Sequence, residues 1–365
     1  MEAYVFDKEL NPLGVLNAVS DLMWQTCYNT EGKFELWCAM TADNRSILEK
    51  DNVVSLDEDP ESAGIIELVN LVNGSDGLKK LHIAGRTCEA YLDFRVVYPV
   101  FIATGYVEDV IYSLLSLHVT NPTDTNRKFS NIIVTQTSFD ITSITYQQTG
   151  KTVLESVSDL CAMGSFRFKL RLVREEKKFY FQLASTADRT IDQAVNLPVY
   201  LSSELDDILE SEYVLNTTDS KNVAVIAGED TATVRKYTVT GETTAQGVDR
   251  RELFVDARDI QSETDTGIAT EQEYEDMLVS RGLSKLEDYR AVEEFNAVIR
   301  SYDNSYEYGE DFFLGDTVTV YDGVLLIRTN AVVTSTTLEY DSNGKRREFS
   351  FGYSQPTLEQ KINRR

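Results

Sequence analysis

The stretch YEYGEDFFLGDTVTVYDGVLLI (306–327) joins an acidic, aromatic approach to a Gly-Asp pair and a run of β-branched residues. Residues 317–321 alternate and are β-branched or aromatic, which is typical of a half-buried strand. A glycine at 315 can turn the chain, and an aspartate at 316 can hydrogen-bond its own backbone. We therefore interpret Gly315-Asp316 as the start of a strand and not as part of an active site.

Length and charge limit the classes of function. A chain of 365 residues exceeds the usual single core, so two to four domains are expected, and 42% hydrophobic residues are enough to build them. The net charge of −25, from 60 acidic and 35 basic residues, repels phosphate backbones and anionic membranes. Residues 261–311 alone hold 14 acidic against 4 basic side chains, so we expect one strongly acidic face and no nucleic-acid reader.

The sequence shows no targeting segment. Its start, MEAYVFDKEL, has neither a basic nor an apolar region of the signal-peptide kind, and no run of about 18 apolar residues predicts a membrane span. Cys27, Cys38, Cys88 and Cys161 do not have the spacing of zinc ligands, so we expect free thiols made in a reducing cytoplasm.

Strand patterns dominate the N-terminal third, and helical patterns follow. Residues 2–100 predict a β meander or barrel, followed by one short helix after Gly85. Helical periodicity appears at 106–119 and at 152–164, the latter with a Thr152/Glu155 capping box and Gly164 as its stop. Residues 166–184 predict a hairpin, and Ser202 to Val214 another short helix.

The C-terminal part predicts a β domain with a helical insertion. Residues 216–260 give two or three strands. Capping boxes at Thr270/Glu273 and Ser284/Glu287, separated by Gly282 as a stop, predict an α-helical hairpin over 261–311. Strand character resumes at Phe312, so the opening stretch would be the re-entry strand of a split β domain.

The two histidines are the first candidates for chemistry near neutral pH. His82 lies in an alternating strand, LKKLHIAG, where a structural role is favoured over a catalytic one. His118 follows the 106–119 helix and fits a position at a helix C-terminus. Neither histidine is therefore assigned a catalytic role.

Acidic and basic clusters give no specific site either. Asp57, Asp59 and Glu61 suggest calcium, but the loop lacks the glycine and glutamate of an EF-hand, so a solvated hairpin loop is favoured. Carboxylate pairs of the glycosidase kind are uninformative among 60 acidic residues. Lys345–Arg347 fits a solvated turn or a salt bridge with an acidic neighbour, and SYDNSYEYGED (301–311) fits a contact surface or a linker. We predict no catalytic residue, no metal site and no cofactor.

Several segments together resemble the hub proteins of siphophage tails. The segments are LMWQTCYNTEGKFELW, AGIIE, IAGRTCEAYLDFRVV, SKNVAVIAG, DRRELFVDARDI, EYEDMLVSRGLSKL and YGEDFFLGDTVTV. Their order and spacing, from about residue 4 to 353, are similar to those of the N-terminal hub portion of tail-associated lysins and of contractile-phage baseplate hubs.

The resemblance implies a mainly β fold with α+β parts. It implies two β-barrel-like domains, each with a smaller α/β domain, and a second barrel split by an insertion. The predicted division is 1–97 for the first barrel, 98–215 for an α/β domain, 216–260 with 312–353 for the split barrel, 261–311 for the helical insertion and 354–365 for a C-terminal tail.

The resemblance also implies a function in assembly. A homotrimer with two barrels per copy would form a pseudo-sixfold ring that closes the distal tail tube and opens for DNA passage. The expected partners are the chain itself, the distal tail protein ring, the tape measure protein, tail fibre or receptor-binding proteins, and passing DNA without specific binding. The expected location is the tail tip of the virion, after assembly in the host cytoplasm.

Two other functions stay open from the sequence. A hub could carry a cryptic glycosidase or peptidase cleft, although the chain ends at Arg365 without a recognisable hydrolase region. It could instead be a carbohydrate-binding receptor module. A zymogram on cell walls and a glycan array would separate these from a structural hub, for which an acidic channel lining is expected.

Overall fold

The computed structural model describes residues 2–16, 18–57, 59, 62–73, 79–205, 207–231, 234–264, 267–299, 305–342 and 344–352. The predicted C-terminal tail (354–365) and Glu61 lie outside the described residues. The chain is mainly β, as predicted, with strands from both ends joined in one 14-stranded sheet and further strands in small separate sheets.

The first β half comprises residues 3–87 and contains seven strands and one helix. They are β1 (Ala3–Phe6), β2 (Pro12–Val15), β3 (Val19–Cys27), β4 (Lys33–Ala39), α1 (Ala42–Ile47), β5 (Val53–Leu56), β6 (Ala63–Asn73) and β7 (Lys79–Thr87). The strands are ordered β3-β4-β7-β6-β5-β1-β2 and every neighbour is antiparallel. Alternate residues such as Phe34, Leu36 and Cys38 point into a core on one face.

The first α/β unit follows at residues 88–185. It contains a 3₁₀ helix (Cys88–Leu92), β8 (Phe101–Tyr106), α2 (Val107–Leu115), a π-helical turn (Ser116–Thr120), a 3₁₀ turn (Thr125–Arg127), β9 (Ile132–Val134), β10 (Ser143–Gln148), α3 (Val153–Gly164), β11 (Phe166–Val173) and β12 (Lys178–Ser185). The Thr152/Glu155 capping box is confirmed, because both of its hydrogen bonds are present. Gly164 is the last helical residue and Ser165 takes the left-handed position, with φ 54°.

Three strands then lead into an inserted unit. The strands are β13 (Asp188–Arg189), β14 (Tyr200–Ser202) and β15 (Ile208–Asn216), with a 3₁₀ turn at Ser203–Leu205. The inserted unit, residues 217–291, contains β16 (Val223–Thr231), β17 (Val234–Gly241), a 3₁₀ turn (Gly247–Asp249), β18 (Glu252–Asp256), β19 (Glu263–Thr264), β20 (Gly267–Ile268) and α4 (Glu271–Glu287). The helix α4 packs on the sheet β17-β16-β18 through Tyr274, Met277 and Leu278.

The second β half combines β13–β15 with the last four strands. These are β21 (Val292–Ile299), β22 (Thr317–Asp322), β23 (Ile327–Asp341) and β24 (Gly344–Gly352). Its antiparallel ladder runs β15-β21-β24-β23, and β22 pairs with β23, β13 and β14. Phe295, Phe312, Phe349 and Phe351 form the centre of its core. The opening stretch is therefore a strand, β22, as its alternation predicts.

The predicted helical hairpin over 261–311 is wrong in its second half. The Thr270/Glu273 capping box is confirmed, but α4 runs through Gly282 and Ser284 without a stop. Gly282 is needed for close packing, since a Cβ there would lie 2.6 Å from Ile226. Residues 292–299, read as helix from VEEFNAVI, form the strand β21 because their alternating residues enter the core of the second half.

Three further predictions need correction. The helix predicted at Ser202 to Val214 is instead the 3₁₀ turn and the strand β15, which pairs along its length with β21. Within the described residues no ladder closes either half into a barrel, because β15 and β2 are the two ends of the sheet. Strand pairing also groups 216–260 with α4 and not with 312–353, so the insertion begins about 45 residues earlier than its capping boxes suggest.

The inserted unit should be removable. Asn216 and Val292 are directly paired in the ladder of β15 and β21, so the chain leaves and re-enters the sheet at neighbouring positions. We expect a variant in which Asn-Gly replaces 217–291 to fold with its β signal intact, because a two-residue turn can join paired antiparallel strands. Circular dichroism and urea unfolding measure this.

The matched control deletes 261–311, which removes β21 from the middle of the second-half sheet. We expect that variant to lose cooperative unfolding. Equal stability of the two deletions would contradict the topological argument.

Candidate assembly and channel surfaces

The two β halves are joined edge to edge by β23 and β3. Residues 335–340 pair antiparallel with residues 22–27, with Leu338 opposite Trp24. Leu338 belongs to the core of the first half, whereas Val333 on the same strand belongs to the core of the second half. One strand therefore holds both halves in a fixed register.

The face of this sheet opposite the two cores is acidic in the second half. Alternation places Glu210 and Glu212 of β15, Glu294 of β21, Glu339 of β23 and Glu348 of β24 on that face. We call these five residues the acidic sheet face. Arg346 is the basic side chain among them, and it pairs with Glu339.

Three of these glutamates act electrostatically on a fourth, Glu348. Burial raises the pKa of Glu348, and the nearby charges of Glu339, Glu210 and Glu212 raise it further, against the opposing effect of Arg346. A raised pKa means that the ionised form of this carboxyl group is destabilised in the folded protein. The face therefore carries more negative charge than folding favours, which makes it a candidate functional surface.

The same face is mixed in charge in the first half. His82 stacks on Trp37 with ring centroids 4.1 Å apart, and its Nε2 lies 3.4 Å from a carboxylate oxygen of Glu35. Arg86 forms ion pairs with Glu31, Glu67 and Asp93. His82 thus has the structural strand environment that its alternation indicates.

His118 is buried in the first α/β unit. It lies in the π-helical turn that continues α2, with its ring edge-on to Phe101. Burial, together with the positive charge of Arg127, lowers the pKa of His118 to about 4. The side chain is therefore neutral at physiological pH and serves the core.

The remaining charged candidates have structural partners. Asp59 accepts a hydrogen bond from Ser62 and pairs with Lys169 at 3.4 Å. Arg346 forms the salt bridge to Glu339, and Arg347 lies over the ring of Tyr308 at 5.4 Å. In the part of the chain that the structure describes, no group of three or more His, Cys, Asp and Glu side chains has metal-binding geometry.

Gly315 and Asp316 mark a junction between units. Gly315 has φ +88°, and a Cβ there would lie 2.6 Å from Thr186. Asp316 is 1% exposed and accepts from Arg167 of β11, from Arg189 of β13 and from the backbone N–H groups of residues 187 and 313. The bond to residue 313 is local, as the sequence indicates. The ion pair with Arg167 holds the first α/β unit against the second β half, and the pair with Arg189 lies within that half; neither was foreseen.

Besides the terminal strand β2, the strands β6 and β15 of the large sheet have a free edge among the described residues. β5 pairs with β6 only at residues 63–65, so residues 67–73 of β6 have β7 on one side alone. β15 pairs with β21 alone. Both edges carry exposed leucines, 48% at Leu68, 51% at Leu71, 54% at Leu209 and 59% at Leu215. Unpaired apolar edges of this kind are templates for pairing with another chain.

The sequence did not identify the acidic sheet face or these edges. A signal for the first was present, since LESEYV (209–214) and VEEF (292–295) place glutamates on one side of alternating apolar residues. It was missed because both segments were read as helices. The Tyr-rich acidic stretch divides: Tyr308 packs on Phe312 and Phe349, whereas Glu307 and Glu310 are exposed.

No helix among the described residues has both the length and the hydropathy to span a bilayer. The four cysteines are free thiols, as predicted, and three of them are buried.

Charge repulsion on the acidic sheet face predicts a pH-dependent gain from Glu348→Gln. Because the folded pKa of Glu348 is raised, its carboxylate destabilises the fold above that pKa, and the cost vanishes as pH falls below the unfolded value of about 4.3. We expect Glu348→Gln to raise the free energy of unfolding at pH 8 and to leave it unchanged near pH 3.5. Urea unfolding at both values measures this.

The matched control for this substitution is Glu175→Gln in an exposed hairpin turn, which should be neutral at both pH values. A loss of stability from Glu348→Gln at pH 8 would contradict the repulsion.

Three solved structures share the fold along nearly the whole chain. The 43 kDa tail protein of prophage MuSo2 from Shewanella oneidensis is 12% identical with a TM-score of 0.58, covering 97% of this chain and 98% of that one. A tail protein from Neisseria meningitidis MC58 is 13% identical with a TM-score of 0.56, covering 96% and 95%. Prophage tail protein gp18 from Listeria monocytogenes EGD-e is 12% identical with a TM-score of 0.53, covering 100% and 98%. At these identities the similarity shows the fold alone.

No protein with a curated description matches the sequence. A family of siphovirus proteins does, and its match extends over residues 2–353. This match confirms the predicted resemblance to siphophage tail proteins. The chain therefore belongs to the family described as Siphovirus ReqiPepy6 Gp37-like protein.

Proposed function

We propose that three copies of this chain form the hub ring at the tip of a phage tail. The ring closes the distal tail tube, holds the neighbouring tail proteins and opens for DNA passage. The proposal makes the chain a structural component of the virion tail, without enzymatic chemistry of its own. It rests on one observation above all, the edge-to-edge join of the two β halves.

That join supplies a repeating unit. Four antiparallel strands of each half lie side by side in the shared sheet, β15-β21-β24-β23 from the second half and β3-β4-β7-β6 from the first, and beyond β6 the sheet continues through β5, β1 and β2. Within one chain, β23 and β3 close the gap between the halves. The same kind of contact between copies would bring β15 of one copy against β6 of the next.

The strand directions suit this contact. Successive strands from β15 to β6 alternate in direction along eight positions, so β6 and the next copy's β15 meet antiparallel, like every other pair. Both edges are unpaired and carry exposed leucines. A head-to-tail contact of this kind generates a closed ring when its rotation closes. Three copies with two halves each give six similar positions, which suits a sixfold tail ring.

The acidic sheet face provides the lining. Both cores cover the same side of the sheet. A ring that curves towards the opposite side places the acidic sheet face in the channel: Glu210, Glu212, Glu294, Glu339 and Glu348. Carboxylates repel DNA phosphates, so a lining that is rich in them weakens phosphate binding and lets the hydrated duplex slide.

The remaining parts fit contacts with other tail proteins. The inserted unit and the first α/β unit lie outside the shared eight-strand sheet, where they can contact neighbours. We propose the distal tail protein ring, the tape measure protein and the tail fibre or receptor-binding proteins as these neighbours. The three solved structures that share the fold are tail proteins, which supports a structural role in the tail.

The ring predicts that one lysine on either free edge abolishes assembly. Light scattering of the wild type should give a mass near three times 41.2 kDa. Leu71→Lys or Leu215→Lys should give a monomer, because a charge on an edge strand opposes pairing with another chain. A wild-type monomer at high concentration would argue against the hub.

The control for the edge variants is Val248→Lys, which adds the same charge at a side chain that is 90% exposed in a loop away from both edges. It should remain a trimer. Trimers from both edge variants would rule out the β6 and β15 contact while leaving open a trimer held by other surfaces.

The channel predicts slower DNA ejection when the acidic sheet face is reversed. Virions that carry Glu210→Lys, Glu212→Lys, Glu294→Lys and Glu348→Lys should assemble but eject DNA more slowly at low salt. The delay should ease at high salt, because phosphate contacts weaken steeply with ionic strength. Fluorescent-dye release from purified virions measures the rate.

The control virions carry the same charge change at four exposed carboxylates of other surfaces: Glu9→Lys, Asp43→Lys, Glu175→Lys and Asp219→Lys. They should eject at the wild-type rate. Normal ejection from both sets at low salt would mean that the acidity serves only solubility.

A further inference from the structure

A ridge of apolar side chains crosses from the first β half into the first α/β unit. In the segment 94–100, alternate residues are exposed, 42% at Phe94, 44% at Val96, 50% at Tyr98 and 40% at Val100, while Val97 is buried. The backbone is held from one side, since the N–H of Val97 donates to residue 151 and its carbonyl accepts from residue 150. The exposed side chains therefore form a supported ridge.

Two arginines are fixed along this ridge. The guanidinium of Arg127 lies 4.3 Å from the ring centre of Tyr98 and donates to the carbonyl of Val96. The guanidinium of Arg95 lies 4.1 Å from the ring centre of Phe129 and donates to the carbonyl of Arg127. We call residues 94–100 together with Arg127 the arginine ridge.

No carboxylate in the described part of the chain neutralises the positive charge of the arginine ridge. The partners of both guanidiniums are neutral carbonyls and aromatic rings, and no carboxylate among the described residues lies within ion-pair distance of either. Burial lowers the pKa of Arg95, and the neighbouring charge of Arg127 lowers it further. Two like charges that the fold holds together favour the binding of an anion between them.

The chemistry of the ridge defines its ligand. A guanidinium has five N–H donors, and each arginine here uses only one or two of them, so donors remain for carboxylates. Beside them, Phe94, Val96 and Tyr98 offer apolar contact area. Aromatic residues with arginine are the composition that protein interfaces favour. The complementary surface is therefore acidic and partly apolar.

Charge complementarity points to a second copy as the source of that surface. Each copy has a net charge of −25, so two copies repel each other over most of their surfaces. Un-neutralised cations are the places where one copy can attract the carboxylates of another. We propose that the arginine ridge is a self-association surface that binds carboxylates of a second copy of this chain.

This inference rests on the trimer proposed above and adds a contact outside the strand edges. Its test is the double charge reversal Arg95→Glu with Arg127→Glu in the full chain, with the trimer's mass followed by sedimentation at a series of concentrations. Loss of close charge pairs at an interface corresponds to a fall in the association constant of about 100-fold or more. The wild-type trimer should also weaken as salt is raised.

The control variant is Arg45→Glu with Lys50→Glu, which makes the same change in net charge at two exposed residues of the first β half. It should associate like the wild type, apart from a small general effect of added charge. A parallel loss in both variants would show that net charge, and not the ridge, governs association, and would overturn the proposal.

A second variant guards against a folding defect, because both arginines also hold backbone carbonyls. Val96→Glu places one carboxylate on the ridge at an exposed side chain and leaves both guanidiniums in place. Thermal unfolding identifies which variants fold, and association of the folded ones gives the result. We expect Val96→Glu to weaken association as well.

The outcomes separate the two proposals. A wild-type trimer with dissociated ridge variants supports both. A wild-type trimer that folded ridge variants retain at unchanged affinity overturns the ridge contact alone and assigns the ridge to another partner, such as a different acidic protein or DNA. A wild type that stays monomeric at all concentrations overturns the trimer and the ridge contact together.

Discussion

The ladder between β23 and β3 is the constraint on which the rest of the structure depends. β23 is 15 residues long, and its first residues pair with β22 while its last residues lie between β24 and β3. It thereby belongs to two cores at once, through Val333 in its first half and Leu338 near its C-terminal end. A shift of one residue in this ladder would turn every side chain to the opposite face of the sheet. Both cores, and the acidic face opposite them, therefore share one register.

Charge plays two different roles in the structure. Asp316 is buried and closely paired with two arginines, so the loss of both would leave an uncompensated buried charge, which typically costs about 3–5 kcal/mol. On the acidic sheet face, burial and the charges of Glu339, Glu210 and Glu212 instead disfavour the ionised form of Glu348, which slightly destabilises the fold. Stability favours the first arrangement but not the second, so the second requires another reason, such as a function in the assembled tail.

The sequence predicted local features well and long-range grouping poorly. Both correct capping boxes, at Thr152 and Thr270, depend on contacts three residues apart, and the strand after Gly315 depends on alternation within six residues. The segments around Glu212 and Glu294 were read as helices, because glutamate-rich alternation is weak for strands and only their mutual pairing decides. The limits of the inserted unit could not be read either, since they are set by residues 216 and 292, which are far apart in sequence and adjacent in space. The arginine ridge has no sequence signature, because its two arginines come from separate loops.

The adjacency of residues 216 and 292 has a consequence for how such a tail protein can change. The pairing of these two strands is set by their own residues, although the inserted unit also contacts the first α/β unit, where Ser280 donates to the carbonyl of Thr145 and Ser284 donates to Asp159. The loop at this position can be short, or it can carry a folded module, while the eight strands keep their register. One inserted module can therefore be replaced by another between residues 216 and 292. An inserted module can be exchanged at this position by recombination, and a displayed peptide or reporter domain placed there would leave the eight strands in register.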